Sequence, residues 1–245
     1  MKNNIAIIPA RMASTRFPGK PLALINGKPM VGHVYDNVRK CNMLKETFVA
    51  TCDQEIADYI ESINGKYIMT SDKHQRASDR TAEAMLKAEQ LLKTKLDIIV
   101  MVQGDEPMVT SPMIEKSLLP FKDKNINIVN LMTKINSIEE FEDPNEPKVV
   151  VDLNSNAIYF SREPIPSRKK GVKNVPMFKQ VCVIPFRRDY LIEYNTLPEA
   201  NLERIESIDM NRIIENGDKI RMVEIAGPVK SVDTTADLNL VSQLM

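Results

Sequence analysis

The sequence predicts an α/β fold with a mixed, mainly parallel, Rossmann-like sheet flanked by helices. In residues 5–69, short apolar segments alternate with amphipathic ones, and only a few residues connect them. This alternation is typical of parallel strands joined by right-handed helical crossovers. The segment 97–102 is apolar throughout after its first residue, as expected of a central strand that is covered on both faces. Residues 148–160 instead read as a hairpin, which predicts an inserted antiparallel lobe in the second half.

The first half supplies the parallel part of the sheet. Its strands are predicted at Ile5–Ile8, Thr47–Thr51, Lys66–Met69 and Asp97–Val102. Helices are predicted between them because apolar residues recur at helical spacing, as in the stripe Val31, Val34, Val38 and Cys41 that follows Pro29. Asp53 is expected to cap the second helix and Ser78 the third.

The second half adds antiparallel strands and further helices to this sheet. Its strands are predicted at Ile126–Met132, Lys148–Asp152, Ala157–Phe160, Phe178–Ile184 and Ile220–Ile225. Its helices are predicted at Ile138–Phe141, Arg187–Tyr194, Asn201–Asn216 and a C-terminal helix with Asp233 at or near its cap. The run 168–170 is basic and lies in a proline-rich loop, which more often forms a solvated face than a binding patch.

The composition excludes several classes of protein. The chain of 245 residues carries 33 basic and 33 acidic side chains, so nothing indicates a general nucleic-acid or membrane surface. No segment approaches the roughly 20 apolar residues of a membrane span, and the start is too short for a signal peptide, so we expect a cytoplasmic protein. Three cysteines and two histidines without ligand spacing argue against a zinc site.

A cationic loop follows the first strand. Arg11, Arg16 and Lys20 fall within ten residues, beside Ser14 and Gly19. Ammonium, guanidinium, hydroxyl and free backbone N–H groups at the end of a strand suit a polyphosphate. The alternative is a solvated basic loop.

An acidic turn follows the central strand. Asp105 and Glu106 stand between that strand and Pro107, at the sheet edge where the cationic loop is also expected. A carboxylate there could hold a magnesium ion that also contacts a polyphosphate. The alternative is an ordinary acidic turn before a proline. Together, the loop and the turn suggest metal-assisted transfer of a nucleotidyl group.

Four segments resemble motifs of one family. They read IPARMASTRFPGKPL at 8–22, VQGDEP at 102–107, YFSREPIP at 159–166 and VDTTADL at 232–238. In this order they resemble the CMP-Kdo synthetases, or 3-deoxy-manno-octulosonate cytidylyltransferases. The resemblance implies a fold of the nucleotide-diphospho-sugar transferase type, magnesium dependence, a homodimer and a role in lipopolysaccharide or capsule biosynthesis. It implies that CTP and a sugar acid give a CMP-sugar and pyrophosphate.

The resemblance also implies roles for individual residues. Arg11 and Lys20 would hold the triphosphate, and Asp105 and Asp233 would bind Mg²⁺; these four would form the catalytic group. The nucleotide would contact Pro9, Ala10, Arg11, Ser14, Lys20, Arg80 and Gln103, of which Arg80 and Gln103 would read the cytosine.

On the acceptor side, the resemblance implies contacts from Arg162, Gln180, Asp209 and Met210. Arg162 would bind the acceptor carboxylate, because a guanidinium fork is the natural partner of that group. The alternative for Arg162 is that it fixes a neighbouring loop through hydrogen bonds to carbonyl groups.

The chain departs from the family pattern mainly on the acceptor side. It has HQRASDR at 74–80 where the family reads His-x-Ser-Gly-Thr-Asp/Glu-Arg, and QVCVIPF at 180–186 where the family reads His-Ile-Gly-Ile-Tyr-Ala-Tyr. Residues 208–212 read IDMNR in place of Leu-Glu-Gln-Leu-Arg. The acceptor is therefore expected to be Kdo or a modified relative.

Two other functions remain open. A phosphonate or a sugar 1-phosphate could be the acceptor, or the chain could be a catalytically silent nucleotide-binding module. For the organisation of the chain, we expect one domain over 1–245. It would comprise a nucleotide-binding half at 1–125, an acceptor and dimer lobe at 126–220, and a last strand with the C-terminal helix at 221–245.

Overall fold

The computed structural model describes residues 3–13, 17–171 and 174–245. Its strands are β1 Asn4–Pro9, β2 Leu24–Ile25, β3 Lys28–Pro29, β4 Glu46–Thr51, β5 Tyr67–Met69, β6 Ile98–Val102, β7 Val129–Lys134, β8 Lys148–Val151, β9 Ala157–Ser161, β10 Phe178–Val181, β11 Val183–Arg187 and β12 Arg221–Ile225. Its helices are α1 Met30–Val38, α2 Gln54–Ser62, α3 Ala77–Leu92, α4 Ser111–Leu118, α5 Ile138–Glu142, α6 Arg188–Thr196, α7 Asn201–Glu206, α8 Met210–Glu215 and α9 Thr235–Leu244.

The first sheet has the strand order β11-β6-β1-β4-β5. Strands β6, β1, β4 and β5 run parallel, and β11 pairs antiparallel with β6 at one edge. Side chains of β1 alternate between two cores: Ile5 and Ile7 pack with residues of α3 and α6, while Ala6 and Ile8 pack with residues of α1 and α2. This sheet with helices on both faces confirms the predicted fold class.

The second sheet has the order β12-β7-β10-β8-β9 and is mainly antiparallel. Strand β12 runs parallel to β7, whereas β7, β10, β8 and β9 pair antiparallel in turn. The predicted hairpin is confirmed as β8 and β9. Its turn is held by the Asp152 carboxylate, which accepts hydrogen bonds from the backbone N–H groups of Asn154 and Asn156.

The single strand predicted at 178–184 is wrong, because the segment breaks at Cys182. Strand β10 belongs to the second sheet and β11 to the first. At the break, the Cys182 N–H donates to the Glu106 carboxylate at 2.9 Å, and the Cys182 carbonyl accepts from the Gln103 N–H at 3.0 Å. The backbone groups of Cys182 are thus paired outside the second sheet, and the chain crosses from one sheet to the other.

The long helix predicted at 201–216 is also wrong, because it breaks into α7 and α8. Ser207 has a φ of 53°, in the left-handed region where an α-helix cannot continue. Of the two predicted caps, Asp53 stands at the N-cap of α2 as predicted, but its carboxylate accepts the Met12 N–H at 2.8 Å and makes no hydrogen bond to the helix. The cap predicted at Ser78 is wrong, because Arg76 is the N-cap of α3 and Ser78 lies in its first turn.

The C-terminal helix begins where it was predicted. Thr234 is the N-cap of α9 and forms a capping box with Asp237, so Asp233 stands directly before the cap. Among the helices of the described ranges, none is long and apolar enough to cross a bilayer.

Candidate active site

Two cavities open side by side at the carboxyl edge of the parallel strands. The first, of about 310 Å³, lies between the turns that follow β1 and β6 and the loop before α3; we call it the β1 cavity. The second, of about 510 Å³, lies between β10, β11 and the α7–α8 segment; we call it the β10 cavity. The residues that line both are Gln75, Arg76, Ala77, Gln103 and Asp105. The two cavities therefore share a wall.

The β1 cavity brings the turns after β1 and β6 into close contact. Pro9 ends β1 and Ala10 follows it, and Gly104 belongs to the turn that follows β6. A Cβ atom at Gly104 would lie 3.2 Å from the Pro9 carbonyl oxygen, tighter than ordinary contacts allow. Glycine therefore lets the two turns approach. Arg11, which is exposed, lines the cavity and donates to the His74 carbonyl at 3.5 Å.

Lys20 joins two carboxylates at the boundary of the cavities. Its Nζ lies 2.7 Å from Asp105 Oδ2 and 3.2 Å from Asp233 Oδ1, and all three side chains are at most 20% exposed. Burial alone would lower the pKa of Lys20, but the attraction of Asp105 and Asp233 outweighs it and raises that pKa. Residues more than 200 positions apart in the sequence thus form one charged cluster.

The backbone also fixes the two carboxylates relative to each other. The Val232 N–H donates to the Asp105 carbonyl at 3.0 Å, which joins the turn after β6 to the segment before α9. Asp237 accepts the backbone N–H of Asp233, and Lys230 lies 3.3 Å from the other oxygen of Asp237. Asp233 is consequently held by the cap of α9 and by its neighbours.

Asp105 and Asp233 are a suitable pair of oxygen donors for a divalent cation. Within the described ranges there is no cluster of three or more His, Cys, Asp or Glu residues that would enclose a metal. Two carboxylates nevertheless suffice for Mg²⁺, which proteins hold through one or two carboxylates together with water and substrate phosphates. The pair therefore fits an ion that binds together with a polyphosphate.

Arg80 and Gln103 also line the β1 cavity. Arg80 is 3% exposed, donates to the Thr70 hydroxyl, and keeps a buried Nη2 atom without a hydrogen-bond partner among the described residues. Gln103 directly follows β6 and lines both cavities. Of the residues predicted to contact the nucleotide, all line this cavity except Ser14, which lies outside the described residues.

Comparison with known proteins gives the family. The family model described as cytidylyltransferase matches residues 5–220. The chain is 39% identical over 247 residues to the 3-deoxy-manno-octulosonate cytidylyltransferase of Geobacter metallireducens, covering 96% of this chain and 95% of the relative. It is 40% identical to the enzyme of that name from Thermodesulfovibrio yellowstonii, covering 98% of this chain and 97% of the relative. It belongs to the 3-deoxy-manno-octulosonate cytidylyltransferase family.

The solved structures agree with this family. A CMP:2-keto-3-deoxy-manno-octonic acid synthetase complexed with CTP superposes with a TM-score of 0.89 at 37% identity, covering 100% of this chain and 98% of that one. A glucose-1-phosphate thymidylyltransferase from Bacillus anthracis has a TM-score of 0.66 at 14% identity, covering 100% of this chain and 95% of that one, and shows only the shared fold. The chain is an enzyme of the nucleotidyltransferase type.

The residues that the family resemblance assigned to the acceptor all line the β10 cavity. Arg162, Gln180 and the consecutive residues Asp209 and Met210 come from three separate segments of the second half. The Gln180 amide donates to Asn130 Oδ1 at 2.6 Å, and the Asn130 amide donates to the carbonyls of Leu131 and Val181. In this cytidylyltransferase, a buried amide pair thus orients Gln180.

Arg162 has carbonyl partners in the structure. Its Nε donates to the Glu206 carbonyl and its Nη1 to the Pro144 carbonyl, both at 2.7 Å, while Nη2 lies 3.4 Å from the Ser207 carbonyl. These are the contacts of the alternative in which the side chain fixes a loop. A guanidinium has five N–H donors, so one on each terminal nitrogen is still available to an acceptor anion.

The sequence did not indicate the roles of two further residues that line the β10 cavity. Glu106 follows Asp105 in the acidic turn, but it is 2% exposed and its carboxylate accepts the Cys182 N–H. Burial, reinforced by the Asp105 carboxylate, raises the pKa of Glu106 to about 8. Arg76 stands in the segment HQRASDR, where the family pattern has a serine, and this departure is the one signal in the sequence that could have identified it.

Proposed function

We propose that this cytidylyltransferase transfers the cytidylyl group of CTP to an anionic acceptor of the 3-deoxy-2-keto sugar acid type and releases pyrophosphate. One observation supports this most: the β1 and β10 cavities meet at Lys20, Asp105 and Asp233. A nucleotide phosphate and an acceptor hydroxyl could therefore approach each other at one boundary. The names of the relatives make Kdo the first acceptor to test.

The cations of the β1 cavity would bind the triphosphate. We assign Arg11 and Lys20 to this role because both line the cavity at the end of β1. In-line displacement at the α-phosphorus increases negative charge on the departing pyrophosphate, and fixed cations stabilise that charge. Pro9 and Ala10 would border the nucleotide as lining residues of the cavity, with Ser14 as a further expected contact.

Asp105 and Asp233 would hold Mg²⁺ between the protein and the nucleotide. The ion would neutralise phosphate charge and orient the reacting phosphate. The two carboxylates keep their relative position through the Val232 to Asp105 backbone bond, and Asp237 fixes the backbone of Asp233. Lys20 would then exchange its carboxylate partners in part for phosphate oxygens.

Arg80 and Gln103 would recognise the cytosine. The free, buried Nη2 of Arg80 is a donor suited to the carbonyl or ring nitrogen of the base, because a buried donor gains most from a partner. The Gln103 amide offers both a donor and an acceptor to the base edge.

The acceptor would bind in the β10 cavity. We assign its carboxylate to the two free N–H groups of Arg162, since two parallel bonds of that kind match a carboxylate. Gln180 and Asp209 would bind hydroxyl groups, and Met210 would contact the apolar part of the sugar. The single domain over 1–245, the homodimer, the cytoplasmic location and the role in lipopolysaccharide or capsule biosynthesis stay predictions.

A pyrophosphate-release screen tests this function. Purified protein with Mg²⁺ is supplied with each of the four nucleoside triphosphates and with Kdo, other sugar acids, sugar 1-phosphates and phosphonates. We expect release with CTP and sugar acids. Release only with sugar 1-phosphates or only with phosphonates would replace the acceptor assignment. No release with any pair would favour a silent nucleotide-binding module.

A further inference from the structure

Arg76 lies in the wall between the β1 and β10 cavities and lines both. It is the residue directly before α3 and belongs to the loop that borders the nucleotide side. The family pattern has a serine at this position, so the guanidinium is a feature of this chain. Its contacts are therefore not explained by the family's shared reaction.

The Arg76 guanidinium binds carboxylates of the acceptor side. Nη1 lies 2.5 Å from Asp209 Oδ1 and 2.5 Å from Glu203 Oε1, and Nη2 binds Glu199. These partners lie more than 120 residues further along the chain. One side chain of the nucleotide side thus joins three residues around the α7–α8 segment.

Glu203 and Asp209, which is partly buried, depend on Arg76 to different degrees. Glu203 is fully buried, but Arg212 already binds both of its oxygens at 2.7 Å. Asp209 has no other ion-pair partner and no other side-chain hydrogen bond to its carboxylate among the described residues. Burial raises the pKa of Asp209, and the nearby Arg76 opposes this effect. Asp209 is therefore the partner whose orientation depends most on Arg76.

Asp209 is also a lining residue of the β10 cavity and directly precedes α8. Its Oδ1 is bound by Arg76, which leaves Oδ2 available to accept a hydrogen bond. A carboxylate oxygen held by a fixed guanidinium is a suitable acceptor for a sugar hydroxyl, because its orientation costs no further side-chain entropy on binding.

We propose that Arg76 is a positioning residue that orients Asp209 toward an acceptor hydroxyl and ties the α7–α8 segment to the nucleotide side of the site. The inference rests on the proposed function, in which the β10 cavity binds a polyhydroxylated sugar acid. It makes acceptor recognition depend on a residue whose backbone belongs to the loop beside the nucleotide.

A double-mutant cycle tests this positioning role. The variants are Arg76→Ser, which restores the family residue, Asp209→Asn, and the two combined. Acceptor KM is measured with Kdo at saturating CTP and Mg²⁺, and CTP binding is measured by calorimetry without acceptor. We expect Arg76→Ser to raise acceptor KM about tenfold and to change the CTP Kd less than about twofold. The double variant should be no worse than Asp209→Asn, because the two residues act as one unit.

Two further variants separate positioning from general loss of charge. Arg76→Lys should recover only part of the acceptor affinity, since a lysine cannot bind separate carboxylates with a planar fork. Arg188→Ala is the matched control, because Arg188 is similarly exposed at 20% and pairs with Glu89 away from both cavities. It should leave acceptor KM unchanged. Additive effects of Arg76→Ser and Asp209→Asn, or an equal loss of CTP binding, would overturn the proposal.

Hydrogen exchange provides a measurement of the role of Arg76 that does not require the proposed catalytic activity. In Arg76→Ser, the backbone amides of 201–215 should exchange faster than in the unmodified protein, whereas Arg188→Ala should not change them. Unchanged exchange in Arg76→Ser would show that Arg76 does not hold the α7–α8 segment to the nucleotide side, even if the enzyme is active. Failure of the unmodified protein to use any sugar acid would instead overturn the acceptor assignment, with the exchange result standing on its own.

Discussion

The β1 and β10 cavities are built in different ways. Most of the β1 cavity comes from short turns that directly follow parallel strands of one sheet, such as 9–13 after β1 and 103–105 after β6. The β10 cavity is assembled from separate segments around 145–147, Arg162, 180–184 and 207–210. The first arrangement requires only the right turn after each strand, whereas the second requires several elements to pack correctly.

This difference matches where the chain keeps and where it changes the family pattern. The segments IPARMASTRFPGKPL and VQGDEP, which border the β1 cavity, follow the family motifs. Most of the changed positions, among them Gln180, Cys182 and Met210, line the β10 cavity. We therefore expect nucleotide binding and acceptor choice to depend on different residues. The following variants test this by comparing their effects on CTP and on the acceptor.

The largest effect is expected for Asp105→Asn, at the boundary of the two cavities. Loss of one carboxylate of the proposed metal site should lower kcat by roughly 10³-fold, as for other removed charge-stabilising groups. CTP binding without metal should change little. Asp189→Asn is the control, because Asp189 is exposed and lies away from both cavities. Equal turnover in Asp105→Asn and the unmodified enzyme would remove Asp105 from the chemistry, and no turnover in either would favour a silent module.

The next effect concerns the buried ion pair that joins α7 to α8, next to the β10 cavity. Arg212→Met breaks a buried ion pair and leaves the Glu203 carboxylate, which is 0% exposed, without its bidentate partner. We expect a loss of about 3 kcal/mol in the free energy of unfolding, measured in urea. CTP binding should be preserved at temperatures where the variant is folded.

A second ion pair serves as the reference for Arg212→Met. Arg188→Met removes the partner of Glu89, whose side chain is 15% exposed and remains in contact with water. We expect this variant to lose less than about 1 kcal/mol in the free energy of unfolding. Equal losses from the two variants would contradict the importance of burial at Glu203.

Arg162→Ala tests the acceptor side alone. Removal of the guanidinium should raise acceptor KM about 10- to 100-fold in steady-state assays, because a charge-assisted pair is lost. The KM for CTP should stay within about twofold. Since the carbonyls of Glu206 and Pro144 also lose their donor, a lower melting temperature is expected. A larger change for CTP than for the acceptor would refute the carboxylate role.

The smallest effect is expected at the loop bordering the β1 cavity. Glu83 accepts hydrogen bonds from Lys87, the Ser71 N–H and His74. Burial alone would raise the pKa of Glu83, but these bonds lower it from 4.5 to about 2. A lowered folded-state pKa contributes stability that is present above pH 4.5 and is lost as the pH falls toward 2.

We therefore expect Glu83→Gln to reduce the free energy of unfolding at pH 6 by about 1–2 kcal/mol, once solvent screening is taken into account. The difference from the unmodified protein should shrink between pH 4.5 and pH 2. Urea unfolding across this range measures it, with exposed Glu61→Gln as a control without a comparable effect. A difference that grows at low pH would have the wrong sign.

Local patterns predicted the β1 cavity well because each of its parts follows a strand directly. The run of apolar residues before Arg11 and the one before Asp105 were enough to bring these two side chains to one sheet edge. The breaks at Cys182 and Ser207 could not be predicted, because each depends on a partner far away in the chain. The Cys182 N–H is bound by the Glu106 carboxylate, and the carbonyls of Glu206 and Ser207 are bound by Arg162.

The break between β10 and β11 has a consequence for how acceptor choice could change. Gln180, Cys182 and Ile184 alternate along the crossing segment and line the β10 cavity, while Val181 and Val183 between them are buried in the core. Substitutions at Gln180 and Cys182 would reshape the cavity, while the valines and the buried Ile184 keep the sheets packed. A small combinatorial library at Gln180 and Cys182 would therefore explore new acceptors without first having to rebuild the nucleotide site.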